Sequence, residues 1–266
     1  MNYSELYSQI LAKKSYLCVG LDSDAELLPK CLSGAEYPVF EFNRQIIDAT
    51  AGYTVCYKPN TSFYEAYGAH GWKQLEMTVQ YIKKNYPEIF VIVDAKRGDI
   101  GNTAKRYAKA FFENMDADAV TVSPYMGSDA VSPFLEYPGK WAIILGLTSN
   151  ESASDFELAG DPALYKQVLA KFSSESIDKA MFVVGATRPE MLAEVRKLCP
   201  EHFLLVPGVG AQGGDLKAVA KYGLNSHCGL LVNSSRGIIY ASDGSDFAEA
   251  ACKEASKLAA QMKETL

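Results

Sequence analysis

Residues 91–103 read VIVDAKRGDIGNT, a β-branched apolar run that passes at once into Asp94, Lys96, Arg97 and Asp99. A short run that is apolar at nearly every position suits a strand buried on both faces, as in a parallel sheet. Charges that end such a strand need partners or a ligand, so they mark its carboxyl end. The sequence continues as NTAKRYAKAFFENM, which carries the spacing of an amphipathic helix. Strand, charged turn, helix is therefore the unit to look for elsewhere.

It recurs eight times. Strand-like runs occur at YLCVGLD (16–22), YTVCYKP (53–59), IFVIVDAK (89–96), AVTVSP (119–124), WAIILGLTS (141–149), MFVVGAT (181–187), FLLVPGVG (203–210) and GLLVNSSRG (229–237). Helical patterns with caps and glycine stops fill most of the gaps, GGDLKAVAKYG after the seventh run being one. Eight strand–helix units in 266 residues predict an α/β fold, a (β/α)8 TIM barrel, whose usual size is about 250 residues. No linker interrupts the series, so residues 1–266 read as a single domain, with an N-terminal amphipathic helix and an enlarged polar loop after strand five at about 149–165. An open doubly wound sheet also alternates strand and helix, but no G-x-G-x-x-G opens the first helix and no P-loop is present. The glycine-rich loops follow strands seven and eight, where barrels build a phosphate site.

Composition narrows the setting. No stretch approaches the roughly 18 continuous apolar residues of a membrane span, and MNYSELYSQILAKK lacks the order of a secretion leader. The six cysteines show no paired spacing and read as reduced thiols of a cytoplasmic protein. His70, His202 and His227 are too far apart for metal-ligand spacing. A net charge of −6 argues against nucleic acid as a partner, while leaving room for an anionic small substrate.

Alternate strand residues share a side, so Asp94 and Lys96 should project together at the barrel mouth, with Asp99 on the following loop. Two carboxylates flanking an ammonium hold it charged and placed, as a proton donor requires. The same cluster also reads as a strand-end ion pair plus a helix cap from Asp99, Asn102 or Thr103. VPGVGAQGGD (206–215) offers an anion the backbone around Pro207, Gly208 and Val209 together with the Gln212 amide. NSSRGI (233–238) adds Ser235 and the guanidinium of Arg236, which can grip phosphate oxygens in a fork. Asp22 and Lys58 end strands one and two at the same rim.

Taken together, DAKRGDIGNT, PGVGAQGG, the aspartate of VGLD and the lysine of CYKPN resemble the orotidine 5'-phosphate decarboxylases, and the length resembles their longer, type 2 bacterial subgroup. The resemblance spans nearly the whole chain in order. It implies conversion of orotidine 5'-phosphate to uridine 5'-phosphate (UMP) by a homodimer that needs neither metal nor organic cofactor. It further implies that Lys96 protonates C6 of the pyrimidine, that Asp94 crowds the departing carboxylate, and that Lys58 and Asp22 hold ribose hydroxyls and the charged network. Asp99, with Ile100 and Thr103 nearby, would reach the neighbouring subunit's site; Gln212 and Arg236 would bind phosphate and Ser149 the pyrimidine amide. Ala95, Arg97-Gly98 and the serines before Arg236 depart from the commoner family wording but leave the charged spacing intact. A magnesium-dependent sugar-phosphate decarboxylase or aldolase shares the D-x-K-x-x-D pattern, but it uses an acidic residue to end strand two, where this chain has Lys58. A barrel that merely binds phosphorylated nucleosides has no use for acids held beside a lysine.

Overall fold

A computed structural model describes residues 1–209 and 215–266. Eight parallel strands close into a barrel in chain order: β1 (Leu17–Leu21), β2 (Cys56–Pro59), β3 (Phe90–Arg97), β4 (Ala119–Val122), β5 (Trp141–Leu147), β6 (Ala180–Val184), β7 (Leu204–Pro207) and β8 (Leu230–Ser234). β8 pairs back onto β1 through Leu17 and Val232. Each strand coincides with one of the eight expected runs, although β3 runs one residue past its run, to Arg97, and β6 begins one residue before its run, at Ala180. The helices are α1 (Tyr3–Lys13), α2 (Pro38–Thr50), α3 (Ser62–Glu65), α4 (Gly68–Asn85), α5 (Gly101–Lys109), α6 (Ser128–Leu135), α7 (Ala153–Phe156), α8 (Leu164–Phe172), α9 (Met191–Leu198), α10 (Leu216–Gly223), α11 (Arg236–Ile239) and α12 (Phe247–Lys263).

The strands are buried almost throughout because side chains fill the barrel and helices cover its outer face. Trp141 packs edge-on against Phe90 at 5.8 Å and Phe203 at 6.4 Å. The N-terminal helix sits against this end of the core. Asn2 and Glu5 form a reciprocal capping box on α1, whose Tyr3, Leu6 and Ile10 are buried. Tyr3 lies 4.8 Å from Phe203, and the Trp141 indole N–H donates to the Met1 carbonyl at 2.8 Å. That arrangement leaves the opposite end, where the strand carboxyl termini lie, for the site.

The six cysteines are all free, and Cys18, Cys56, Cys199 and Cys228 are buried. His202 is buried against the Glu175 carbonyl, and burial lowers its pKa, so it serves as a neutral core residue. His70 stacks on Tyr37. Among the described residues no helix is long and apolar enough to cross a membrane.

Candidate active site

The carboxyl ends of the strands surround a cavity of about 550 Å3. Lys58 enters it from β2, opposite Gly20 of β1, and is only 4% exposed. Its Nζ lies 3.2 Å from Asp94 Oδ2 and 3.5 Å from Asp22 Oδ1. Lys96 Nζ donates to both oxygens of Asp94, at 2.8 and 3.0 Å. The Thr121 hydroxyl of β4 donates to Asp94 Oδ1 at 2.8 Å. One carboxylate thus receives two ammonium groups and a hydroxyl.

Charge balance explains the protonation states. Burial opposes ionisation of Asp94, but Lys58 and Lys96, with the hydrogen bonds from Lys96 and Thr121, outweigh it and hold the carboxyl well below its ordinary pKa. Burial likewise opposes the charge on Lys58, yet Asp22 and Asp94 more than offset it and its pKa lies above the usual lysine value. Both groups stay charged because each is the other's counter-ion. Asp22 Oδ1 is buried and makes no hydrogen bond among the described residues; its partner is the Lys58 ammonium at 3.5 Å.

Asp94 and Lys96 do come together, though not by simple strand alternation. Val93 pairs with Val120 and Arg97 with Val122, so four steps along β3 span two along β4. The bulge puts Lys96 in the left-handed backbone region at φ 46°, where its N–H donates to Thr121 Oγ1 at 2.9 Å. Thr121 therefore fixes both the carboxylate and the lysine backbone, a role that nothing in AVTVSP announced beyond a lone polar residue in a buried strand.

Around the other half of the cavity, close backbone approach decides the sequence. A Cβ on Gly20 would fall 1.8 Å from Ser235 Oγ, and one on Gly185 would fall 2.7 Å from the Ser149 Cα. Glycines at the ends of β1 and β6 therefore admit the serines. Ser149 lines the cavity along with Thr148 and Asn150, and the Glu157 carboxylate accepts from the Thr148 N–H and hydroxyl, both at 2.7 Å. The loop at about 149–165 contains α7 and is tied to the end of β5 through that carboxylate. Pro207, Gly208 (φ 98°) and Val209 continue the wall. Ser235 and Arg236 close it; Arg236 is exposed and its guanidinium has no hydrogen bond or ion pair among the described residues. Gln212 lies outside the described residues.

Asp99, Ile100 and Thr103 do not line their own chain's cavity. Nor do Asp99, Asn102 or Thr103 cap α5: its N-cap is Ile100 without a side-chain bond, and Asp99 Oδ1 accepts only from the adjacent Ile100 N–H at 2.7 Å. Tyr240 also lines the cavity without a motif to single it out, and so does Asn233, which opens NSSRGI but is not itself singled out by it.

Residues 15–251 match the family model described as "Orotidine 5'-phosphate decarboxylase / HUMPS family". The chain is 56% identical over 269 residues to the orotidine 5'-phosphate decarboxylase of Flavobacterium johnsoniae, covering 100% of this chain and 98% of that protein. It is 54% identical over 270 residues to the same-named protein of Phocaeicola vulgatus, covering 100% and 99%. The solved structure of Leishmania donovani OMP decarboxylase is similar with a TM-score of 0.81 at 37% identity, covering 97% of this chain and 99% of that one.

Proposed function

The chain belongs to the orotidine 5'-phosphate decarboxylase / HUMPS family, and on that premise we propose how its own residues carry out the reaction. It is a carboxy-lyase that converts orotidine 5'-phosphate to UMP and CO2, the last step of UMP synthesis. The C6–carboxylate bond breaks, its electron pair stays on C6 in the ring plane, and a Lys96 Nζ proton moves to C6. The neutral amine then regains a proton from water. Little delocalisation is open to such a carbanion, so a fixed ammonium beside it is the most effective stabiliser. Asp94 faces the substrate carboxylate, and because it stays ionised the repulsion between the two is relieved only as CO2 leaves.

The observation that carries this reading is Asp94 bridging Lys58 and Lys96 inside the cavity. Asp22 and Lys58, paired at 3.5 Å, hold the ribose hydroxyls. Ser149 meets the pyrimidine amide, and Pro207, Gly208, Val209, Gln212, Ser235 and Arg236 take the phosphate. The Lys58 ammonium stands between Asp22 and Asp94, where a divalent cation would need room, so the proposed chemistry is metal-free, and the family resemblance implies no organic cofactor either. A homodimer accounts for Asp99, Ile100 and Thr103 lying outside the lining of their own cavity. Exposed Ile100, Tyr125 and Met126, at the same end of the barrel, support it. The same reading takes residues 1–266 as one cytoplasmic domain. Adding orotidine 5'-phosphate to the protein should bleach the orotate ultraviolet absorbance without added metal and after chelator treatment. Strict dependence on Mg2+ would refute the metal-free chemistry.

A further inference from the structure

Arg97 follows Lys96 directly but does not line the cavity. Its guanidinium carbon lies 5.3 Å from the Tyr107 ring centroid and 5.6 Å from that of Phe111, both on the helical segment after β3. Nη1 donates back to the Ala95 carbonyl at 3.0 Å, across Lys96, and Nη2 pairs with Glu65 at the end of α3. The Arg97 carbonyl in turn accepts from the Ser123 N–H at 2.7 Å. The Ala95–Lys96 peptide is thus held through its carbonyl by the Arg97 fork, and the Arg97–Gly98 peptide, one step beyond Lys96, is held through its carbonyl by the residue that follows β4. Between them sits Lys96 at φ 46°, an uncommon conformation for a residue with a Cβ.

We infer that Arg97 is a positioning residue that holds Lys96 in the left-handed backbone conformation from which its ammonium reaches Asp94 and the reacting carbon. Glu65 completes the device. It stands on the helix that follows Lys58's strand, so the Arg97–Glu65 pair links the segments behind the two active-site lysines. The Tyr107 and Phe111 rings flank the Arg97 guanidinium, whose planar fork is better suited to the task than a flexible ammonium. The inference rests on Lys96 being the proton donor.

The test compares Arg97→Met, Arg97→Lys and Glu65→Gln with Lys96→Ala, reading kcat and KM for orotidine 5'-phosphate, the Kd of UMP and the Tm. Methionine keeps apolar packing on the two rings but removes the fork. Misplacing a reacting group by about 1 Å costs on the order of 100-fold, so Arg97→Met should lower kcat by about that factor while KM and the UMP Kd stay within about threefold. Arg97→Lys should recover part of kcat, and Glu65→Gln should show a smaller loss of the same kind. If Arg97→Met does not fold, those two variants carry the test. Wild-type kcat in all three, or kcat, UMP affinity and Tm falling in parallel, would overturn the positioning role. Turnover surviving in Lys96→Ala would instead remove the proton-donor reading on which it rests, whereas an inert Lys96→Ala beside a normal Arg97→Met would sink the positioning role alone.

Discussion

At the β1–β4 end of the cavity Asp22, Lys58, Asp94 and Lys96 already hold one another in place, whereas at the β8 end Arg236 is exposed and unpaired among the described residues. The two ends meet different demands. A field that must act on a carbanion works best if it is built before substrate arrives, because reorganising it during the reaction would raise the barrier. A phosphate-binding group must keep its donors available, since only a ligand can satisfy them. The chemical end is therefore closed upon itself and the binding end is left open.

Substitutions at the closed end should cost most. Asp94→Asn leaves the ammonium of Lys58 facing one full carboxylate and removes the repulsion that drives CO2 out. We expect kcat to fall by about 10^3-fold, with a lower Tm because a buried pair has been broken. Steady-state kinetics and calorimetry read the two effects. A kcat within tenfold of wild type would show that the field is not built around Asp94.

The next test asks whether the closed end belongs to one chain. Asp99→Ala and Lys96→Ala homodimers should both be severely impaired if Asp99 serves the neighbouring site. Refolded together, they should regain roughly a quarter of wild-type sites, since half of the randomly paired dimers carry one intact site. No gain after confirmed subunit exchange would confine Asp99 to its own chain. Arg236→Ala, at the open end, should lower kcat/KM by about 10- to 100-fold, chiefly through KM, as expected for losing hydrogen bonds to a charged group. A fall in kcat alone would erase the distinction between the ends.

The smallest effect concerns pH. Asp94 has a folded pKa below its ordinary value of 3.8, so its contribution to stability is present above that value and is lost only as pH falls through the folded pKa. Lys58 lies above its ordinary 10.5, so its contribution is complete below that value and is lost as pH rises through the folded pKa. Neither should titrate between about pH 5 and pH 9. The Tm deficit of Asp94→Asn should therefore be constant over that window. A deficit that vanished toward pH 6 would mean that Asp94 is already protonating.

The same contrast describes what could be read in the sequence. The barrel was legible because its signal is local: eight apolar runs, most with a helical pattern behind them, and each of the eight strands forms at one of them, β3 and β6 overrunning by one residue. The last run extended too far, to residue 237, because Ser235 and Arg236 leave β8 for α11 without a change in polarity strong enough to mark the end. Asp22, Lys58, Asp94 and Lys96 were legible as polar groups at strand ends, Arg236 as the arginine that opens the last helix and Ser149 through the family resemblance, and all line the cavity. The bulge at Lys96 was not, because it is set by Thr121 on the neighbouring strand, and period-two alternation reaches the same pairing by a regular geometry that β3 does not have. Glu157 escaped notice for a like reason: its hold on Thr148 depends on how the loop folds back. The helix-cap reading of Asp99 failed since α5 begins at Gly101 with Ile100 as its uncapped N-cap.

The central claim is that Lys96 performs the chemistry while the open end performs the binding. Lys96→Ala, assayed for loss of orotate absorbance and for UMP affinity in the same preparation, tests it most directly. Turnover should fall by about 10^4-fold with the UMP Kd within about threefold of wild type. Near-normal turnover, or UMP affinity lost in step with turnover, would contradict the account.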